Sequence, residues 1–129
     1  MIDEGLRTFL LGFPGVAAEV DDRIFPAPLP QGVGLPAITY TDVSNLGSTS
    51  NDGPDCLERA HYQLDHWAAT KEAAGRVERA TRAVLSGYRG AWSGIRIGGV
   101  FRRNTWTLYE PETKLYRAIT DYRINAIGV

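Results

Sequence analysis

Cysteine is nearly absent from this chain: Cys56 stands alone among 129 residues. No intramolecular disulfide can form, and no cysteine-based zinc site can be built. That composition fits a reducing compartment. Lysine is almost as scarce, with Lys71 and Lys114 the only two, so arginine carries nearly all the positive charge. Arginine's planar fork pairs with carboxylates and stacks on rings, which suits protein–protein contacts. Codon usage in a GC-rich genome gives the same bias. Excess charge is lacking too. A net charge of −1 offers no electrostatic case for binding nucleic acid or an acidic membrane. No apolar run approaches the roughly 20 residues that a membrane helix needs. The start, Met1-Ile2-Asp3-Glu4, lacks the basic residues of a signal peptide. The expectation is a soluble protein made and used in the cytoplasm.

Catalytic signatures are also missing. His61 and His66, with Asp65, are the one cluster resembling a metal or acid–base site. An odd separation along a strand sends the two imidazoles to opposite faces, so one ion cannot be held by both without a bulge. Gly32-Val33-Gly34 precedes Pro36 and a strand, so no helix N-terminus faces a phosphate there. No nucleophile elbow places a serine on a strand-to-helix turn. The sequence predicts no enzyme, no metal and no cofactor.

What is present is ordinary globular material, 43% hydrophobic and 22% charged, of single-domain size over residues 1–129. Its organising stretch is Leu57 to Leu85. Ala60, Tyr62, Leu64 and His66 alternate with Arg59, His61, Gln63, Asp65 and Trp67, as a strand with one buried face requires. Thr70 is a candidate N-cap. From Lys71 the period becomes helical, with Ala73, Val77, Ala80 and Val84 on one stripe and Gly87 as terminator.

Before this stretch, Ile2, Leu6, Phe9, Leu10 and Phe13 predict a short helix over residues 3–11. Val16 to Val20 adds another helical turn. Residues 24–36, rich in proline, read as irregular surface chain. Ala37 to Ser44 is a strand, and residues 45–54 form a polar loop at a hairpin tip. After the helix, residues 88–94 read as a loop carrying Trp92. A long strand from Ile95 to Tyr109 puts Ile95, Ile97 and Phe101 on one face, with a bulge at Gly98-Gly99. A turn at Glu110-Pro111 leads to a last strand, Leu115 to Ile127. The expected fold is α+β, in the order helix-strand-strand-helix-strand-strand. It has a single four-stranded, mostly antiparallel sheet with two helices packed on one face.

The second face of that sheet is not cleanly polar. Val43, Trp67 and Ile119 are interspersed with charged residues. Arg59, His61, Trp67, Arg117, Ile119 and Arg123 are therefore candidates for a subunit interface, the alternative being a solvated face with stray apolar residues. Gly47, Ser48, Thr49, Asn51 and Asp52 in the loop are candidates for docking to a partner. A reading from another class makes the aromatics Tyr62, Trp67, Trp92 and Trp106 a small-molecule pocket.

The chain also resembles a known family, the tail-terminator or tail-completion proteins of long-tailed bacteriophages. The resemblance runs over nearly the whole chain. It rests on the N-terminal helix followed by Asp22-Arg23-Ile24-Phe25-Pro26, and on Leu35-Pro36-Ala37-Ile38-Thr39-Tyr40. It continues through Gln63-Leu64-Asp65-His66-Trp67-Ala68-Ala69-Thr70 and the helix after it. It closes with Leu108-Tyr109-Glu110-Pro111-Glu112-Thr113-Lys114-Leu115-Tyr116-Arg117. It implies a structural virion protein that assembles with itself into a ring, expected to be a hexamer. Such a ring caps the tail tube protein, ends its polymerisation and offers a surface for head–tail joining. Implied partners are the tube protein and a head–tail connector or neck protein, with DNA passing through unbound. The implied place is the head-proximal end of the tail. A connector or neck protein of the same size is the rival within the virion.

Overall fold

The computed structural model describes residues 2–47, 57–92 and 94–127. Among these residues the elements run α1 (Ile2–Leu11), α2 (Pro14–Val20), β1 (Ile24–Pro26), β2 (Ala37–Gly47) and β3 (Leu57–Ala68). They continue with α3 (Lys71–Leu85), β4 (Gly90–Trp92), β5 (Ile95–Glu110) and β6 (Leu115–Ile127). The strands form one sheet in the order β1-β2-β3-β6-β5-β4. β1 pairs parallel to β2, and every other pair is antiparallel.

This corrects the four-stranded, two-helix fold expected from sequence: the sheet has six strands and is mixed, and three helices pack with it. Both additional strands are three residues long and lie at the sheet edges. β1 hides in the proline-rich segment because an edge strand needs few donors. Ile38 N donates to Arg23 O and Ala27 N to Tyr40 O, so Pro26 forfeits nothing. β4 hides in a presumed loop because it pairs only with Ile95, Arg96 and Ile97. The turn between them includes Gly94 at φ +77°, a left-handed conformation that glycine accepts without strain. The third helix, α2, is a short one started by Pro14.

Local chemistry accounts for α3. Thr70 Oγ1 accepts from Ala73 N at 3.1 Å, capping the helix as its sequence suggests. Gly87, at φ +79°, turns the chain back so that its N–H reaches Val100 O on β5 at 2.8 Å. The buried side of α3 presents Ala74, Val77, Thr81 and Leu85 to the sheet. There they join Ala60, Tyr62 and Leu64 of β3, Val100 of β5, and Tyr122 and Ile124 of β6. Leu6, Leu10, Val16 and Val20 of α1 and α2 complete this core.

The core also encloses polar groups. Glu78 on α3 accepts from Arg82 Nε at 2.9 Å and from Thr120 Oγ1 at 3.3 Å. Nearby, His66 is fully buried with Nδ1 2.8 Å from Ala118 O. A carbonyl only accepts, so Nδ1 carries the proton and donates. Burial lowers the imidazole's pKa to about 4, so it is neutral at pH 7.

β5 departs from its expected faces. Ile95 and Ile97 point into the core, but Phe101 does not. The bulge between Ile97 and Gly99 adds one residue, so Val100 takes the inward position and Phe101 is turned out.

Candidate functional site

Register defines the second face of the sheet. Arg59, His61, Gln63, Asp65 and Trp67 of β3 lie directly opposite Asn125, Arg123, Asp121, Ile119 and Arg117 of β6. Opposed residues share a face. All six interface candidates, Arg59, His61, Trp67, Arg117, Ile119 and Arg123, therefore lie together on the face away from the helices. Their surroundings differ. Ile119 and Trp67 are 1% and 8% exposed within the chain itself, whereas Arg59 is exposed.

One end of this face is an ordered cluster. Trp67 Nε1 donates to Thr39 Oγ1 at 3.0 Å. The Arg117 guanidinium lies 5.1 Å from the centre of the Trp67 ring, a cation–π contact. It also bridges two carboxylates, Glu110 at 3.1 Å and Asp65 at 3.5 Å. Gln63 Nε2 donates to Asp65 Oδ1 at 3.0 Å. Burial raises the Asp65 carboxyl above its ordinary pKa, and the Gln63 hydrogen bond and Arg117 charge oppose that rise. The segment from Ala27 to Leu35 and the end of β5 at Glu110 flank an open pocket of about 570 Å³, with Thr39, Asp65, Trp67 and Arg117 in its lining.

The other end is less satisfied. His61 Nε2 lies 3.7 Å from Asp121 Oδ1, too far for a hydrogen bond. Arg123 stacks on Phe101 at 5.2 Å. His61 Nε2, Arg123 Nε and Asn125 Oδ1 are buried here without a hydrogen-bond partner, as is Arg117 Nε in the first cluster.

Several candidates are dispersed. His61 and His66 point to opposite faces, and among the described residues no three His, Cys, Asp or Glu side chains gather as metal ligands. The four aromatics of the pocket reading do not converge. Tyr62 is in the core, and Trp92 stacks with Tyr88 beside Phe9. Trp106 stands opposite Ile119 on the outer part of β5. In the docking loop, Gly47 is the last residue of β2, paired with Glu58, while Ser48, Thr49, Asn51 and Asp52 lie outside the described residues. Sequence reading missed Asp65 and Glu110 as partners of Arg117. The available signal was the pairing of Arg117 with Trp67 and with Leu108, which places Asp65 and Glu110 each two residues along on the same face.

The tail completion protein gp17 family profile matches residues 4–125. The chain belongs to that family. As a family member it is a structural protein of a phage-type tail and a component of the virion. Its fold is similar to that of a chain in a solved structure described as the virion of a native gene transfer agent particle. The TM-score is 0.74 at 14% sequence identity, covering 98% of both chains. No curated protein sequence matches significantly. No helix among the described residues is long and apolar enough to cross a membrane.

Proposed function

We propose that this tail completion protein is a tail terminator. Six copies form a ring that seats on the last ring of the tail tube, ends its polymerisation and presents its other side to the neck or connector. DNA passes through without specific contacts, as a near-neutral chain allows. The ring occupies the head-proximal end of the tail and is assembled in the host cytoplasm. Family membership supports the tail assignment, and the likeness in fold to a chain from a virion particle agrees with it.

The observation that carries self-assembly is the second face. It buries His61 Nε2, Arg123 Nε and Asn125 Oδ1 without partners, each at a cost of about 1–3 kcal/mol. A neighbouring copy meets the part-exposed side chains around these atoms, His61 and Arg123 among them. Arg59, His61 and Arg123 are the part of this face that a neighbour reaches. Trp67 and Ile119, largely covered by the chain itself, are its rigid support. Gly47, Ser48, Thr49, Asn51 and Asp52, which fall between β2 and β3 in sequence, are assigned to docking against the tube or neck.

Arg59→Glu combined with Arg123→Glu tests this. Neither residue belongs to the Arg117–Asp65–Glu110 cluster, and circular dichroism checks that the variant is folded before it is used. Mixed with purified tail tubes and viewed by negative stain, it leaves tube ends uncapped while the unaltered chain caps them. Normal capping by the variant removes this face from assembly. Capsid necks decorated in place of tube ends identify a connector instead.

A further inference from the structure

The longest strand ends in an open edge. β4 pairs only with residues 95–97 of β5, and Gly87 N takes Val100 O. From Phe101 to Glu110, β5 has β6 on one side and no strand on the other among the described residues. The whole run from Phe101 to Tyr109 is solvent-exposed, and it carries Phe101, Trp106, Leu108 and Tyr109. A long, apolar, unprotected edge is a template for pairing with another chain. At the opposite end of the sheet, β1 covers only Ile38 to Tyr40 of β2, so residues 43–47 also lack an outer strand among the described residues.

We propose that the outer edge of β5 in one copy pairs with residues 43–47 of β2 in the next, so that one continuous antiparallel sheet lines the ring. The inference rests on the ring reading above and adds an edge-to-edge joint to the face contact given there. The occupant follows from strand direction. β2 and β6 run one way, β3 and β5 the other. A rotation about an axis tilted to the strands, as in a closed barrel, still brings the next copy's β2 antiparallel to β5, and the tilt supplies the shift the joint needs, because Thr107 is level with Ile38 and Asn45 with Val100 across the sheet. The alternation continues unbroken through every copy. Unlike edges joined head to tail form a heterologous contact, the kind that closes rings. Closure also removes both edges from solvent. A β5-to-β5 contact would instead close a two-fold dimer and leave β2 open.

The backbone gives the test. Val100 O points outward to Gly87. Its partner Ile124 then fixes the alternation along β6, so Thr105 and Thr107, opposite Thr120 and Ala118, direct their N–H and C=O groups outward. Thr107→Pro removes an outward donor only, as edge strands tolerate. The full-length variant keeps the circular dichroism and melting temperature of the parent and forms at least tenfold fewer rings on tail tubes. A second variant carries Cys56→Ser, Thr107→Cys and Asn45→Cys. Oxidation of its rings gives a covalent ladder of this chain reaching the ring number. Rings from Thr107→Pro in normal yield overturn the proposal. So do rings that oxidise only to dimers through Cys at 107, or crosslinks from 107 to the tube protein. Rings that assemble but carry neither crosslink refute the joint and leave the ring standing. Failure of the unaltered chain to form rings refutes both.

Discussion

One strand lives in two environments. The first part of β5 sends Ile95, Ile97 and Val100 into the core, where β4, α1 and α3 surround them. The second part, a few residues on, leaves Phe101 at 46%, Trp106 at 38%, Leu108 at 43% and Tyr109 at 49% exposure. Composition does not explain the contrast, because both parts carry large apolar residues. Coverage does. β4 reaches no further along β5 than Ile97, and past Val100 no residue of β5 belongs to the core cluster. A fold that needed only its own stability would not extend an apolar hairpin past its last layer. The covered half holds the monomer together, and the bare half is available to other chains.

Charge placed in each half breaks or sharpens that comparison. The largest effect belongs to Val100→Asp. The residue is fully buried within the apolar core cluster. A carboxylate there is unpaired and costs several kcal/mol, comparable to the whole stability of a small domain. The variant is expected to be insoluble or to melt without cooperativity. A folded, cooperative variant would show that this half of β5 is not core.

A proton on His66 makes the same test inside the chain's own chemistry. Burial holds this imidazole neutral, with a folded pKa near 4 against 6.5 in the unfolded chain. The unfolded state therefore takes the proton first as pH falls. The stability from the neutral ring is complete above 6.5 and is lost between 6.5 and about 4, on the order of 3 kcal/mol in all. Glu78 nearby favours the imidazolium and Arg82 disfavours it; desolvation outweighs both. Asp65 works in the opposite sense. Its raised carboxyl pKa adds stability as pH falls through the folded pKa towards the unfolded value of 3.8. The difference between the parent and His66→Asn isolates the histidine, because the amide keeps a donor for Ala118 O. Urea melts at pH 7 and pH 4.5 are expected to converge for His66→Asn relative to the parent. Parallel pH slopes in the two proteins would place His66 in solvent.

The same contrast shows what the sequence could and could not reveal. Periodicity located β3 and α3, since alternation from Ala60 to His66 and a helical stripe from Ala73 to Val84 are strong local signals. It failed for β1 and β4. Three-residue edge strands have no period to detect, and they exist only because β2 and β5 lie beside them. It also put Phe101 on the wrong side, because a bulge is suggested by Gly98-Gly99 but its effect on facing depends on where the extra residue sits. The second face was legible as a mixture of arginine and apolar residues. Its internal order was not. That Arg117 answers Asp65 and Glu110, and that residues 27–35 flank the pocket beside the cluster, depends on tertiary placement that no spacing encodes.

The smallest expected effect is the one that tests the bare half most directly. Leu108→Asp places a carboxylate where the leucine is 43% exposed, on the face that also holds Arg117, its direct neighbour on β6. Little apolar area returns to water, and a cation stands across the ladder, so the stability change is expected within about 0.5 kcal/mol. Thermal melts of the purified chain should barely move. Assembly should respond far more, because a second chain pairing along this edge would bury the new charge beside Trp106. The discriminating quantity is the ratio of the two effects. A Leu108→Asp chain that melts like the parent yet caps few tube ends assigns this half of β5 to contacts between chains. A chain that loses stability in proportion to its loss of capping shows that the hairpin belongs to the fold after all.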